Sequence, residues 1–464
     1  MRAIAAILTC ALLFGCADFS RFHPESKPLA IKKPSPKFAI DTKWWTIFKD
    51  DQLDSLIEEA LANSPDIKIA QARIRLARNE AGIADAQRYP QLNIDGSAVR
   101  ERMSATGYFP PPLGGSTLNF GQLALDFDYD FDWWGKNRAA LNAALSEASA
   151  KEAESIETRL ILGTAIAQSY FMLQSNLAKL DISKHILQEQ ESLLRLAKFR
   201  ASNGIESDYR VSQEESNVAK SRLDVSRIEE AVKLGRTQIA ALLGKAQESG
   251  NAIEPRIDPP PQIPASIPAD LIGMRPDIMA QRYRIEAATN QVVVAKAEFY
   301  PNIDLQAYAG VQSIGFGNLL KSGSEITSFG PAIHLPIFNA GMLKSNLGAK
   351  YAEYDIAVEG YNRMVIDAMR DVSQASTSLQ SVITQISAQN ELMKGLEKAH
   401  KIAFSRYREG LGDALSVIET ETPLLSQRNI KTDLDEMRME TILQMIKSLG
   451  GAPMPGGSTR SNPG

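Results

Sequence analysis

Excess positive charge is missing from this chain. Lys and Arg total 51 against 55 Asp and Glu, a formal net charge of −4. That balance leaves no basic footprint for nucleic acid. Aromatic residues are scarce, at 7%, and the apolar residues are mostly Ala, Leu and Ile, which suits long helices with small-residue packing better than a thick globular core. There are two cysteines, Cys10 and Cys16, and four histidines, His23, His185, His334 and His400. No two histidines stand at H-x-x-H or H-x-x-x-H spacing, so a Cys/His zinc site is excluded. No G-x-S-x-G, P-loop or G-x-G-x-x-G context occurs either. These absences argue against an enzyme, a cofactor or a metal centre. Beyond residue 16 there is no run of about 18 apolar residues, so any further membrane crossing has to use strands.

What is present begins with a targeting signal. Arg2 precedes the apolar run "AIAAILTCALLFGC", the charged and apolar regions of a secretory signal peptide. Leu13, Phe14, Gly15 and Cys16 form a lipobox-like end. The expectation is a signal peptide over 1–15, Cys16 as the lipidated first mature residue, and a mature chain without disulfides. Ala17 after Cys16 is compatible with the outer membrane.

The sequence then runs through one plan twice. At an offset of 211 positions, Pro65-Asp66-Ile67 matches Pro276-Asp277-Ile278, Arg73-Ile74 matches Arg284-Ile285, and Tyr89-Pro90 matches Tyr300-Pro301. Further along, at an offset of 206, Gly204 matches Gly410 and Leu243-Gly244 matches Leu449-Gly450. Each copy reads as a helix (65–88, 276–299) stopped by Tyr-Pro, an alternating stretch, a long helix (136–202, 340–408), a Gly turn, and a returning helix (205–243, 411–450). A 67-residue helix spans roughly 100 Å. Pro423 predicts a kink in the last helix. The organisation expected is a lipid-anchored extended segment 16–44, a first repeat 45–250, a Pro-rich connector 251–275, a second repeat 276–450 and a disordered tail 451–464.

Four stretches, 91–103, 121–134, 302–314 and 325–337, alternate apolar and polar residues over lengths close to those of tilted membrane strands. Four strands cannot close a barrel, for which about eight is the practical minimum. An open sheet in lipid leaves unpaired backbone groups at several kcal/mol each. Membrane strands here therefore imply an oligomer that pools them; the alternative is a soluble four-stranded sheet with one wet face.

The stretch "LDFDYDFDWWGK" (125–136) resembles a calcium loop only superficially. Counting from Asp126, the Gly and Glu required at the sixth and twelfth positions are Phe131 and Asn137. Strict alternation instead puts Asp126, Asp128, Asp130 and Asp132 on one face of a strand, toward water; in a trimer that face would line a lumen. Trp133 and Trp134 then form an aromatic girdle at the lipid boundary.

Taken together, the lipobox, the duplicated helix–hairpin–long-helix unit, Tyr-Pro before each hairpin and the Gly turns resemble the TolC-type outer-membrane efflux channels, in particular their lipoprotein (NodT) branch. "DFDWWGKNRAALNAA", "SVIETETPLLSQRN" and "LGGAP" carry the likeness over almost the whole mature chain. The resemblance implies an α+β membrane protein: a homotrimer with a 12-stranded β-barrel, four strands per protomer, continuous with a long periplasmic α-helical barrel. It implies a passive exit duct in the outer membrane, fed by a periplasmic adaptor and an inner-membrane pump of the RND or major-facilitator type. It places a periplasmic gate at Leu415 and Glu419, with Asp413 a second acidic candidate, and adaptor docking at the turns of Gly204 and Gly410. Three carboxylates near a pore axis repel anions and attract cations. The rival reading is a soluble periplasmic coiled-coil protein such as the adaptor itself.

Overall fold

The computed structural model describes residues 19, 22–31, 43–245, 253–256, 261 and 269–451. The signal segment, Cys16, most of the 251–275 connector and the tail beyond Gly451 lie outside them. The elements are α1 (Asp51–Asn63), α2 (Pro65–Ala86), β1 (Gln91–Arg102), β2 (Thr117–Asp130), α3 (Lys136–Ser202), α4 (Asp208–Leu242), α5 (Pro276–Ala297), β3 (Asn302–Ile314), β4 (Glu325–His334), α6 (Met342–Arg408) and α7 (Ala414–Ser448). Lengths recur along the chain: α2 and α5 have 22 residues each, α3 and α6 have 67, and α4 and α7 have 35. No helix among the described residues is long and apolar enough to cross a membrane.

Several expectations need correction. The helix α1 was not anticipated. The second strand is 117–130 rather than 121–134, and the fourth stops at His334. The returning helices start at Asp208 and Ala414, because Ser207 and Asp413 have extended backbone and stand as N-caps. Helix α7 runs through Pro423 without a break.

The chain divides into two units. The first contains residues 1–29, 72–152 and 280–362 and carries the sheet, antiparallel in the order β1-β2-β3-β4. Its apolar cluster joins Val292, Ala295 and Leu347 to Phe19, Phe22, Phe299, Tyr351 and Tyr354. Residues 22–29 form a strap along α6. The backbone N–H groups of Glu25 and Ser26 donate to Asp355 at 3.0 and 2.9 Å, and that of Leu29 donates to Asn362 at 2.8 Å. Asn362 Nδ2 in turn donates to the Lys27 carbonyl. A segment without regular structure, most of it exposed, is thus tied to the helix by side chains that accept from its backbone N–H groups.

The second unit is helical around a large apolar cluster. Trp44, Trp45 and Phe48 pack with Leu53, Ile57, Leu160, Ile166, Tyr170, Ile239, Ile442 and Ile446. Positions 53, 56, 57 and 60 of α1 are all buried, an i, i+3, i+4, i+7 stripe. Asp50 starts α1 by accepting from the N–H groups of Gln52 and Leu53. The Tyr170 hydroxyl donates to the other oxygen of Asp50 at 2.7 Å. Desolvation by burial and this bond to Asp50 push the Tyr170 phenol above its ordinary range.

Candidate functional site

Two places collect the functional residues, and each lies within a single unit. The first is the sheet. Residues opposite each other across a ladder share a face. Leu92 faces Phe127, which faces Ala307, which faces Phe329; Ile94 faces Leu125, which faces Ala309. On the other side, Asn93 faces Asp126, which faces Tyr308, and Asp128 faces Gln306. Over Leu92–Ala98 of β1 and the residues paired with it, one side of the sheet is therefore mostly apolar and the other mostly polar, with no slip of register. The apolar side is uncovered: Leu92, Ile94, Phe329 and Ile333 are all exposed. From Leu92 to Ala98 it spans about 20 Å along the strand.

Asp126, Asp128 and Asp130 lie on the polar face as expected, and the structure adds Asp95 and Asp304 there. Asp130 stands directly opposite Asp304, and Gln306 donates to Asp128 at 3.3 Å. Asp95 and Asp304 are polar members of the alternation within β1 and β3, and the pairing puts them on the same face as the β2 aspartates.

Asp132 does not belong to this set. The strand has ended, and Asp132 sits in the left-handed region at φ 48. Its N–H donates to Asp130 Oδ1 at 2.8 Å. Its carboxylate accepts from the N–H groups of Asn137 and Arg138 at 2.8 and 2.9 Å. It thus satisfies orphan donors of the first turn of α3. Asn137 Nδ2 ties the same turn to Asp130 Oδ2 at 3.0 Å. The expectation of four strand aspartates is replaced by three strand aspartates and a helix cap. Trp133 and Trp134 follow the strand and are exposed. Trp134 stacks on Tyr300 at 4.5 Å and donates to the Pro301 carbonyl at 2.8 Å.

The second place is the pair of hairpin ends in the helical unit. Gly204 and Gly410 adopt φ +74 and +72. Beyond each, the chain closes the same cap: Ile205 N–H donates to Arg200 O and Leu411 N–H to Arg406 O, while Gly204 donates to Ala201 and Gly410 to Tyr407. This paired 6→1 and 5→2 pattern needs a left-handed residue, for which Gly carries no Cβ penalty. It leaves Ile205 and Leu411 exposed at 65% and 67%.

After Gly410, Asp413 caps α7, accepting from Ser416 N at 3.0 Å and Ser416 Oγ at 2.6 Å. The Ser416 hydroxyl and N–H hold its carboxyl below the usual range. Leu415 is half-buried. Glu419 is exposed and lies 3.9 Å from Arg210, whose guanidinium stands 2.9 Å from the buried Glu214. Arg210 and Glu214 were absent from the sequence reading. Their i,i+4 spacing was visible, but the burial of Glu214 depends on packing. Among the described residues no cluster of His, Cys, Asp and Glu could hold a metal ion.

The profile of the family described as "Outer membrane efflux protein" matches residues 56–245 and 267–451. The multidrug resistance outer membrane protein MdtP of Escherichia coli K12 is 28% identical over 98% of both chains. The fusaric acid resistance protein FusA of Burkholderia cepacia is 34% identical over 75% of this chain and 69% of its own. Among solved structures, the outer membrane protein VceC of Vibrio cholerae superposes with a TM-score of 0.80 at 35% identity, covering 89% of this chain and 99% of that one.

Proposed function

The chain belongs to the outer membrane efflux protein family, and we propose that it acts as a homotrimer, the passive exit duct through which an inner-membrane pump and a periplasmic adaptor discharge substrates. The observation that carries the oligomer is the sheet. It has one uncovered apolar face, one acidic face, and edges of β1 and β4 that no strand pairs with among the described residues. Lipid cannot satisfy those edges. Three chains supply twelve strands, enough for a closed barrel with an acidic lumen. Asp95, Asp126, Asp128, Asp130 and Asp304 then occur three times each and favour cations in the upper channel.

The equal helix lengths in the two halves support an internal duplication of the whole unit. The long helix pairs form the periplasmic part of the duct. Ile205 and Leu411, held out by the Gly204 and Gly410 caps, support docking of the adaptor at these turns. Leu415, Glu419 and Asp413 form the gate, with Arg210 of the neighbouring helix 3.9 Å from Glu419. Cys16 carries the lipid, three residues before Phe19, which packs edge-on against Phe299 just ahead of β3. The duct carries what the pump selects; no residue acts as a catalyst. The multidrug and fusaric acid resistance of the named relatives support export of organic toxicants as the role.

The test is fractionation, detergent extraction and mass measurement. The expected result is an outer-membrane protein extracted at three times the mass of the mature chain, which lies slightly below the 50.8 kDa of the full sequence. A monomer in the soluble periplasmic fraction would return the chain to the coiled-coil adaptor reading.

A further inference from the structure

Charge is segregated across the sheet. Five aspartates and Glu101 lie on the polar face, while both strand guanidiniums, Arg100 and Arg102, fall on the opposite, apolar-side register. They come at the loop end of β1. Ala98 is the last apolar residue of that strand on this side, so Arg100 follows it by about 7 Å and Arg102 by about 14 Å. Each guanidinium faces a donor-bearing side chain: Arg100 pairs with Asn119 and Arg102 with Thr117. Both arginines are exposed, and neither guanidinium makes a hydrogen bond or ion pair with another described residue. The result is a two-by-two patch of donors at the upper margin of the apolar belt. Guanidinium forks fit phosphate oxygens in two-pronged fashion, better than an ammonium does.

We propose that Arg100, Arg102, Asn119 and Thr117 bind the phosphate groups of a phosphorylated glycolipid in the membrane leaflet on the loop side. The patch sits where the apolar band ends, so a ligand held there keeps its acyl chains on Leu92, Ile94 and Ala98 while its phosphates meet the arginines. A soluble anion would gain nothing from that belt. The only strand carboxylate on the same side is Glu325, on β4. Even if a neighbouring protomer's copy of Glu325 reached one guanidinium, the other would remain uncompensated. The inference rests on the barrel reading above.

The test is native mass spectrometry of the purified full-length protein titrated with bisphosphorylated lipid A. Parallel titrations use a dephosphorylated analogue, and the bisphosphorylated form with millimolar inorganic phosphate added. Wild type is expected to bind the bisphosphorylated lipid about tenfold more tightly than the Arg100→Ala/Arg102→Ala double variant. Arg100→Lys/Arg102→Lys should fall between them, and inorganic phosphate should not displace the lipid. Equal binding by wild type and the double alanine variant overturns the proposal. So does equal binding of the dephosphorylated lipid. Displacement by inorganic phosphate would make the patch a free-anion site, and loss of the oligomer in the double variant without lipid would make it a subunit contact; each replaces the lipid role. The barrel reading is checked separately by a fluorophore at Ile94 in brominated-lipid vesicles. Absence of quenching there removes the barrel itself, whereas quenching with no arginine effect removes only the lipid site.

Discussion

Removing Arg210 should loosen the first hairpin end far more than removing Glu419 does, although Arg210 lies near two carboxylates. The two partners differ in environment. Glu214 has a side chain only 3% exposed, 2.9 Å from the guanidinium, and its other oxygen accepts from Asn217 at 3.0 Å. Glu419 is 56% exposed and 3.9 Å away. Breaking a fully buried pair costs about 3–5 kcal/mol, because one charge is left without compensation. Arg210 is one-third exposed, so water and Asn217 recover part of that loss, and about 2 kcal/mol is expected for Arg210→Ala. The exposed contact with Glu419 contributes at most about 0.5 kcal/mol.

Hydrogen exchange resolves these numbers, because the effect is local. In Arg210→Ala, amides over 199–218 should exchange about 30-fold faster, the factor corresponding to 2 kcal/mol. In Glu419→Ala they should change less than about threefold, while cation preference in planar bilayers falls. Replacing the pair together, as Arg210→Met with Glu214→Leu, should return most of the protection, since an apolar pair of similar size is often neutral. Equal acceleration in the two alanine variants would refute the reasoning. So would a double variant as unprotected as Arg210→Ala alone.

Two further outcomes follow from the structure. Asp132→Ala should destabilise the start of α3 by about 1–2 kcal/mol, the usual range for a lost cap, and leave bilayer selectivity almost unchanged. Asp128→Asn should do the reverse, and thermal unfolding with conductance on the same samples separates the two roles. Glu157 is held above its ordinary 4.5, first by desolvation and then by the neighbouring Asp277. An acid raised in the folded state contributes stability that is fully present below 4.5 and lost as pH rises through the folded value. Glu157→Gln should therefore raise the melting temperature at pH 7.5 relative to wild type, with the gain disappearing by pH 4.

Helices were the legible part of this fold, because Pro and Gly punctuate them. Tyr89-Pro90 and Tyr300-Pro301 stop α2 and α5, and Gly204 and Gly410 cap α3 and α6 by a bond pattern that needs φ > 0. Helix α1 carries the same kind of signal, an Asp50 cap and the 53, 56, 57, 60 stripe.

The strands were less legible, for a physical reason. In β2 the apolar parity changes sides within one unbroken ladder. Leu123, Leu125 and Phe127 face the belt, whereas Leu118 and Phe120 lie on the polar-side register, opposite Glu101 and Val99. A period-2 pattern read from sequence loses phase there, so the expected strand began four residues late. At the other end the phase continued falsely. Asp132 keeps the alternation but turns left-handed, and no count of spacing reveals a dihedral angle. Both errors sit where the environment changes: at the loop end, where the belt gives way to arginines, and at the foot, where strand gives way to helix. The alternation therefore follows the two faces of the sheet, one apolar and one polar, and it breaks at Gly121 and Asp130, where the apolar belt ends.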